Sequence, residues 1–143
     1  MEVNAIIENI FGGSITVNTE VVPVVYMDYQ GHGESYVVYR QYDKDNSYST
    51  DDEIAGYVTY YDFDVYSTGD YLAIVREIKK KLKANFWTWE PSRDSQDMYD
   101  PDTKYFHKTV SFALPVQEVD EEEPEEEVEN NSNEGGLNNG NNL

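Results

Sequence analysis

Asp62 and Asp64 are the residues whose types and spacing first suggest chemistry. A single residue separates them in the run YVTYYDFDV from Tyr57 to Val65. Successive side chains of a strand point to opposite faces, so both carboxylates leave the same side. His107 lies in a second β-prone run, over residues 104–114. On neighbouring strands, two carboxylates and an imidazole could ligate a divalent cation or act as a general acid and base. Alternating acids are also what a solvated or interface-facing side of a sheet looks like, and this is the stronger reading. His32 sits between Gly31 and Gly33 in a turn, and no third glycine or lysine follows at phosphate-loop spacing. No serine or threonine occupies a nucleophile motif, and the chain has no cysteine to serve as nucleophile, disulfide or thiolate ligand. No catalytic signature is present, and the expectation is of no enzyme, no cofactor and no metal.

The elements that must position these residues are legible in the periodicity. In residues 57–65, Tyr57, Tyr61, Phe63 and Val65 share one parity and the two aspartates the other, which describes a strand with one apolar face. From Tyr71 the repeat becomes Tyr71, Ile74, Val75, Ile78 and Leu82, the stripe of a helix that buries one side. Ser67, with Asp70 three residues on, is the expected N-cap. Lys79, Lys80, Lys81 and Lys83 crowd the last turn, where the helix dipole favours positive charge. Val3, Ile6, Ile7, Ile10 and Phe11 predict a shorter first helix that Gly12-Gly13 ends.

Further strands are expected at Ser14 to Val17, at Val24 to Met27 with Pro23 marking an edge or a beginning, and at Tyr36 to Tyr42. A short β-prone segment follows Asn85, and residues 104–114 alternate cleanly up to Pro115. Residues 43–53 and 91–101 read as long polar loops. The expected fold is α+β: a mainly antiparallel sheet of about four to five strands with two helices packed on one face. It occupies residues 1–116, and residues 117–143 form a disordered acidic, Asn- and Gly-rich tail.

Charge supports that division. The chain has 29 acidic and 10 basic residues, for a net charge of −19. Ten of the acids and no lysine or arginine lie in residues 118–143, so the remainder carries −9. A segment this polar cannot recover the ordering cost of its backbone, about 1 to 2 kcal/mol per residue. An acidic surface disfavours nucleic acid, whose binding depends on cations displacing counterions. No apolar run approaches the roughly 20 residues that span a bilayer, and no basic-then-apolar leader opens the chain, so no membrane association is expected.

The 13 tyrosines exceed what one small core encloses, and tyrosine favours interfaces, where its ring is buried and its hydroxyl bonds. Tyr60 and Tyr66 share the parity of Asp62 and Asp64, making a Tyr, Asp, Asp, Tyr face that could meet another subunit. In the polar loops, Asp45, Asn46, Ser47, Tyr48, Arg93, Asp94 and Asp97 are candidate partner contacts, because long loops project and carry recognition.

Segment order adds a resemblance. Asp62-Phe63-Asp64-Val65-Tyr66-Ser67, then Asp70-Tyr71-Leu72 opening a lysine-ended helix, then Met98-Tyr99-Asp100-Pro101-Asp102-Thr103 and Tyr105-Phe106-His107-Lys108, resemble the tail-terminator or tail-completion proteins of long-tailed bacteriophages and prophages. The earlier Tyr36-Val37-Val38-Tyr39-Arg40-Gln41 fits the same pattern, which covers residues 1–116. The resemblance implies a small α+β subunit that forms a ring, typically a hexamer, at the head-proximal end of the tail tube. Such a ring stops tube polymerisation and joins the tail to the head connector. Its partners would be its own copies, the tail-tube protein and a connector or head-completion protein, first in the host cytoplasm and then in the virion. An acidic face formed by Asp62 and Asp64 would keep DNA from sticking in the bore of a ring. Two other classes stay open: an acidic DNA mimic that inhibits a nucleic-acid enzyme, and a neighbouring head-completion protein. A hydrolase using Asp62, Asp64, His107 and a metal is the enzymatic alternative.

Overall fold

A computed structural model describes residues 2–31, 33–50 and 53–117; His32 and the acidic tail from residue 118 onward lie outside the described residues. Helix α1 (Val3–Phe11) is followed by strands β1 (Ser14–Val17), β2 (Glu20–Tyr26), β3 (Ser35–Thr50) and β4 (Glu53–Ser67). Helix α2 (Tyr71–Ala84), β5 (Thr88–Trp89), a single 3-10 turn (Pro91–Arg93), β6 (Met98–Asp100) and β7 (Tyr105–Gln117) complete the order. The fold is α+β, with a mostly antiparallel sheet in the order β1-β2-β3-β4-β7-β5, and β6 also pairing with β7. The sheet has seven strands, more than the four to five that apolar alternation reveals, because β5 and β6 have two and three residues.

The period-2 and period-3.6 stripes meet in one core. Phe63 and Val65 of β4, Val37 of β3, and Val110 and Phe112 of β7 are fully buried against Ile7 of α1 and Ile74, Ile78 and Leu82 of α2. Both helices therefore lie on the odd-numbered face of β4. Phe63 is the hub of the aromatic packing: its ring lies 5.7 to 6.5 Å from those of Tyr39, Phe11, Phe112 and Trp87. Trp87 and Phe112 meet it edge-to-face at 89°, the arrangement that ring quadrupoles favour.

Three local expectations are corrected. Asp70, not Ser67, caps α2: its carboxylate accepts from the Ala73 amide at 3.1 Å. Ser67 Oγ instead pairs with Ser35 Oγ of the adjacent strand at 2.8 Å and accepts from the Gly69 amide. Pro23 is internal to β2, at the point where the strand changes neighbour: residues 20–23 pair with β1 and 24–26 run parallel to β3. Pro115 does not close β7 but pairs with Val58 inside it. The amides of Thr109 and Ser111 point away from β4, to Ser95 Oγ and Asp94. Pro115 shares their parity, so its missing N–H removes no bond to β4.

The largest correction concerns residues 43–53. Most of them belong to the two strands of a β-hairpin arm, in which Lys44 pairs with Thr59, Asp45 with Val58 and Thr50 with Glu53. Its β3 half, DKDNSYST, shows no apolar alternation in sequence, so periodicity never marks it. Register shifts between Gln41 and Asp43 and between Asp45 and Ser49 twist it away from the regular sheet. The 91–101 stretch likewise holds the 3-10 turn and β6 rather than an unbroken loop.

Replacing the hub residue, Phe63→Ala, should cost about 3 to 5 kcal/mol of unfolding free energy in urea titration, through lost burial and the cavity left behind; a loss under about 1 kcal/mol would show that the rings around it carry the core without it.

Candidate functional site

The sheet face opposite the helices carries Asp62, Asp64 and His107, the residues whose spacing suggests chemistry. Strand register arranges it in rows. Tyr36, Tyr66, His107 and Met98 lie side by side across β3, β4, β7 and β6. Val38, Asp64 and Thr109 form the next row, and Arg40, Asp62 and Ser111 the one after.

The first row is a stack. Tyr29, from the turn after β2, lies on Tyr36 with centroids 4.3 Å apart; Tyr36 lies on Tyr66 at 4.7 Å, and Tyr66 on His107 at 4.1 Å. Tyr105 stands perpendicular to Tyr36 and Tyr66 and donates its hydroxyl to the Gly33 carbonyl at 2.5 Å. Beyond the stack opens a cavity of about 400 Å³ whose lining includes Tyr36, Tyr66, Met98, Tyr99, Tyr105 and His107.

The next two rows hold the carboxylates, in two different environments. Asp64 is 3% exposed. Arg40, opposite Asp62 in register, reaches diagonally to place Nη1 2.6 Å from Asp64 Oδ2, and Thr109 Oγ1 donates to Oδ1. His107 Nε2 stands 3.7 Å from that oxygen. Burial pushes the Asp64 carboxyl up, but His107, Thr109 and Arg40 together bring it below its ordinary value. Asp62 accepts from Ser111 Oγ at 2.5 Å. Burial dominates there, and the neighbouring Asp64 charge adds to it, so the Asp62 carboxyl is raised despite the Ser111 bond.

Asp62, Asp64 and His107 thus do come together on one face, as their parity predicts. Their bonds answer what the group does. Both Asp64 oxygens are engaged, one by a guanidinium that repels any incoming cation, so the arrangement is built to satisfy a buried charge. A buried, Arg-paired Asp64 also cannot act as a free carboxylate repelling DNA, which corrects that part of the acidic-bore reading. Tyr66 is held inside the stack, and Tyr60 lies beneath Arg93, whose guanidinium is 4.0 Å from the Tyr60 ring and 5.3 Å from Tyr42.

The partner-contact residues divide. Asp45, Asn46, Ser47 and Tyr48 lie in the β3 half of the hairpin arm. Arg93, Asp94 and Asp97 belong to a strap fastened across β7. Asp94 accepts from Trp89 Nε1 at 2.9 Å and from the Ser111 amide at 3.0 Å. Asp97 accepts from Tyr71 hydroxyl and Lys108 Nζ, both at 2.8 Å. Asp94 is thus tied into the sheet edge, whereas Asp97 stays half exposed at the outer side of the strap. Sequence reasoning misses Arg40, Tyr36, Thr109 and Ser111 as members of the face. The parity of Tyr36, Val38 and Arg40 is the available signal, obscured because Val38 interrupts the polar alternation.

Opposite shifts predict opposite behaviour. A lowered carboxyl stabilises the fold above its unfolded value, near pH 3.9, and that contribution disappears as pH falls through the folded value; a raised one does the reverse. At pH 7, Asp64→Asn should therefore lower the unfolding free energy by about 2 kcal/mol, with the difference from wild type shrinking below about pH 3.5. Asp62→Asn should be neutral or stabilising at pH 7, since an amide oxygen still accepts from Ser111. Urea titrations from pH 3 to 8 check both, and equal losses from the two variants at pH 7 would contradict the assignment. Set beside known proteins, the chain matches no family model and no curated protein.

Proposed function

We propose that this chain is a structural subunit of phage tail assembly, a tail-terminator-like protein. It forms a ring with its own copies, ends polymerisation of the tail tube and presents the surface that meets the head connector. The observation that carries the reading is the hairpin arm. From Arg40 to Thr50, β3 has no strand beside it on the β2 side among the described residues, because β2 pairs only with Val37 to Tyr39. On the other flank, β4 is paired with β7 from Gly56, opposite Gln117, onward. Among the described residues, the arm therefore offers backbone donors and acceptors along the β2-side edge of β3 over roughly 30 Å. Native proteins shield long open edges unless they pair with another chain, and strand addition is a common mode of recognition.

The resemblance in segment order supports the same reading, as does the distribution of side chains. The polar face is devoted to satisfying its own charges, and the exposed apolar residues gather at the periphery, among them Tyr42 beside the arm and Met98 and Tyr99 at the opposite end of β7. In this reading the arm and the rim meet tube, connector and neighbouring copies, and the sheet face with its strap keeps the subunit rigid.

Polymerising the cognate tail-tube protein in the presence of this chain tests the proposal. Electron microscopy should show shortened tubes carrying the chain at one end only. A variant lacking residues 46–54 leaves Ala55-Gly56-Tyr57 as a three-residue turn between the paired Asp45 and Val58, a permitted hairpin length, and should remain folded but lose end binding. Tubes of unchanged length, or decoration along their sides, would overturn the assignment.

A further inference from the structure

The end of α2 holds a residue that its own fold does not use. Asn85 is the C-cap, the Phe86 amide donates to the Lys83 carbonyl at 3.3 Å, and the Trp87 amide donates to the Leu82 carbonyl at 3.0 Å. This is the Schellman pattern, completed by burial of Trp87 and Leu82 on either side. The position between cap and Trp87 must be left-handed, and glycine is its usual occupant because a Cβ is strained there. Here it is Phe86, at φ 73°, with its side chain 85% exposed. A bulky ring retained in a conformation that disfavours it, and turned to solvent, has no account within one subunit.

A receptor for such a ring exists elsewhere on the same chain. The cavity of about 400 Å³ beside the tyrosine stack is walled by Tyr36, Tyr66, Tyr99 and Tyr105 with Met98 at its rim, and Met98 and Tyr99 are exposed. Phe86 cannot enter the cavity of its own subunit. The cavity lies at the His107 end of β7 and Phe86 beside Thr88, which pairs with Ala113, six residues or roughly 20 Å along the strand. Charge is complementary as well: Lys81 and Lys83 lie in the last turn of α2 just before Phe86, while Asp100 lines the cavity and Asp102 is next to Thr103, which lines it too.

We infer that Phe86 of one copy seats in the tyrosine-lined cavity of a second copy, with the basic end of α2 facing Asp100 and Asp102. Knob and socket occupy different surfaces, so the contact is heterologous and repeats from copy to copy until it closes. Aromatic rings in desolvated pockets are the residues that dominate such interfaces. This rests on the ring reading above and names the contact that would build it.

The test uses the full chain in sedimentation velocity across a concentration series. Phe86→Gly supplies the residue the backbone position prefers, so the variant should melt no lower than dissociated wild type, yet remain monomeric where wild type assembles. Thr103→Trp, at an exposed position lining the cavity, fills the socket and should also remain monomeric. Mixed, the two variants retain one intact knob and one intact socket, and should form a 1:1 dimer that grows no further. Assembly of Phe86→Gly at wild-type concentrations, or a mixture that stays monomeric, would overturn the contact while leaving a ring built some other way. Wild type that never assembles would overturn the ring reading and this contact together.

Discussion

Strand β4 must be buried on both faces, and the rest of the structure answers that constraint. Its odd residues carry Tyr61, Phe63 and Val65 into the helix-covered core. Its even residues would leave Asp64 as an unpaired buried charge, which is costly unless it is both paired and hydrogen-bonded. Arg40 from β3 and Thr109 from β7 meet that demand from the two adjacent strands. A neighbouring strand on each side is therefore required by electrostatics as well as by backbone pairing. The strap of residues 91–97 extends the same logic, because Asp94 caps the free Ser111 amide and the Ser95 hydroxyl the free Thr109 amide on the edge of β7 that β5 does not reach.

That constraint explains what can be read from the sequence. The parity of residues 57–65 and the stripe from Tyr71 to Leu82 are direct consequences of one buried face, so β4, α2 and the last strand are visible in the amino-acid pattern alone. The hairpin arm is not visible, because its strands are held by mutual backbone pairing and DKDNSYSTDDE has the composition of a loop. Asp62 and Asp64 fall on one face, as their spacing requires, but their roles are not legible. Whether a buried carboxylate is a ligand, a base or one half of an ion pair depends on Arg40, 22 and 24 positions away in sequence and adjacent only through strand register. Phe86 is equally hidden. In sequence it is one more aromatic beside Trp87, and only the left-handed backbone at the helix end separates it from the core.

The middle of the domain is held by its own contacts, and its exposed apolar rings and unpaired strand edge lie toward its extremities. The sheet is satisfied on both faces, whereas among the described residues an unpaired edge of β3 runs along the arm, and Phe86 at the end of α2 and Tyr99 at the rim of the tyrosine cavity are exposed. On the proposed reading, such exposed features, distributed over distinct surfaces of a small domain, suit repeated head-to-tail association better than a two-fold dimer, in which one patch meets itself.

The central claim is that such association closes on itself. Native mass spectrometry of the full chain over a concentration series tests it most directly. The account predicts a single discrete species near six copies that becomes dominant as concentration rises, without larger open polymers. A chain that remains monomeric at every concentration, or that stops at a dimer, would contradict it.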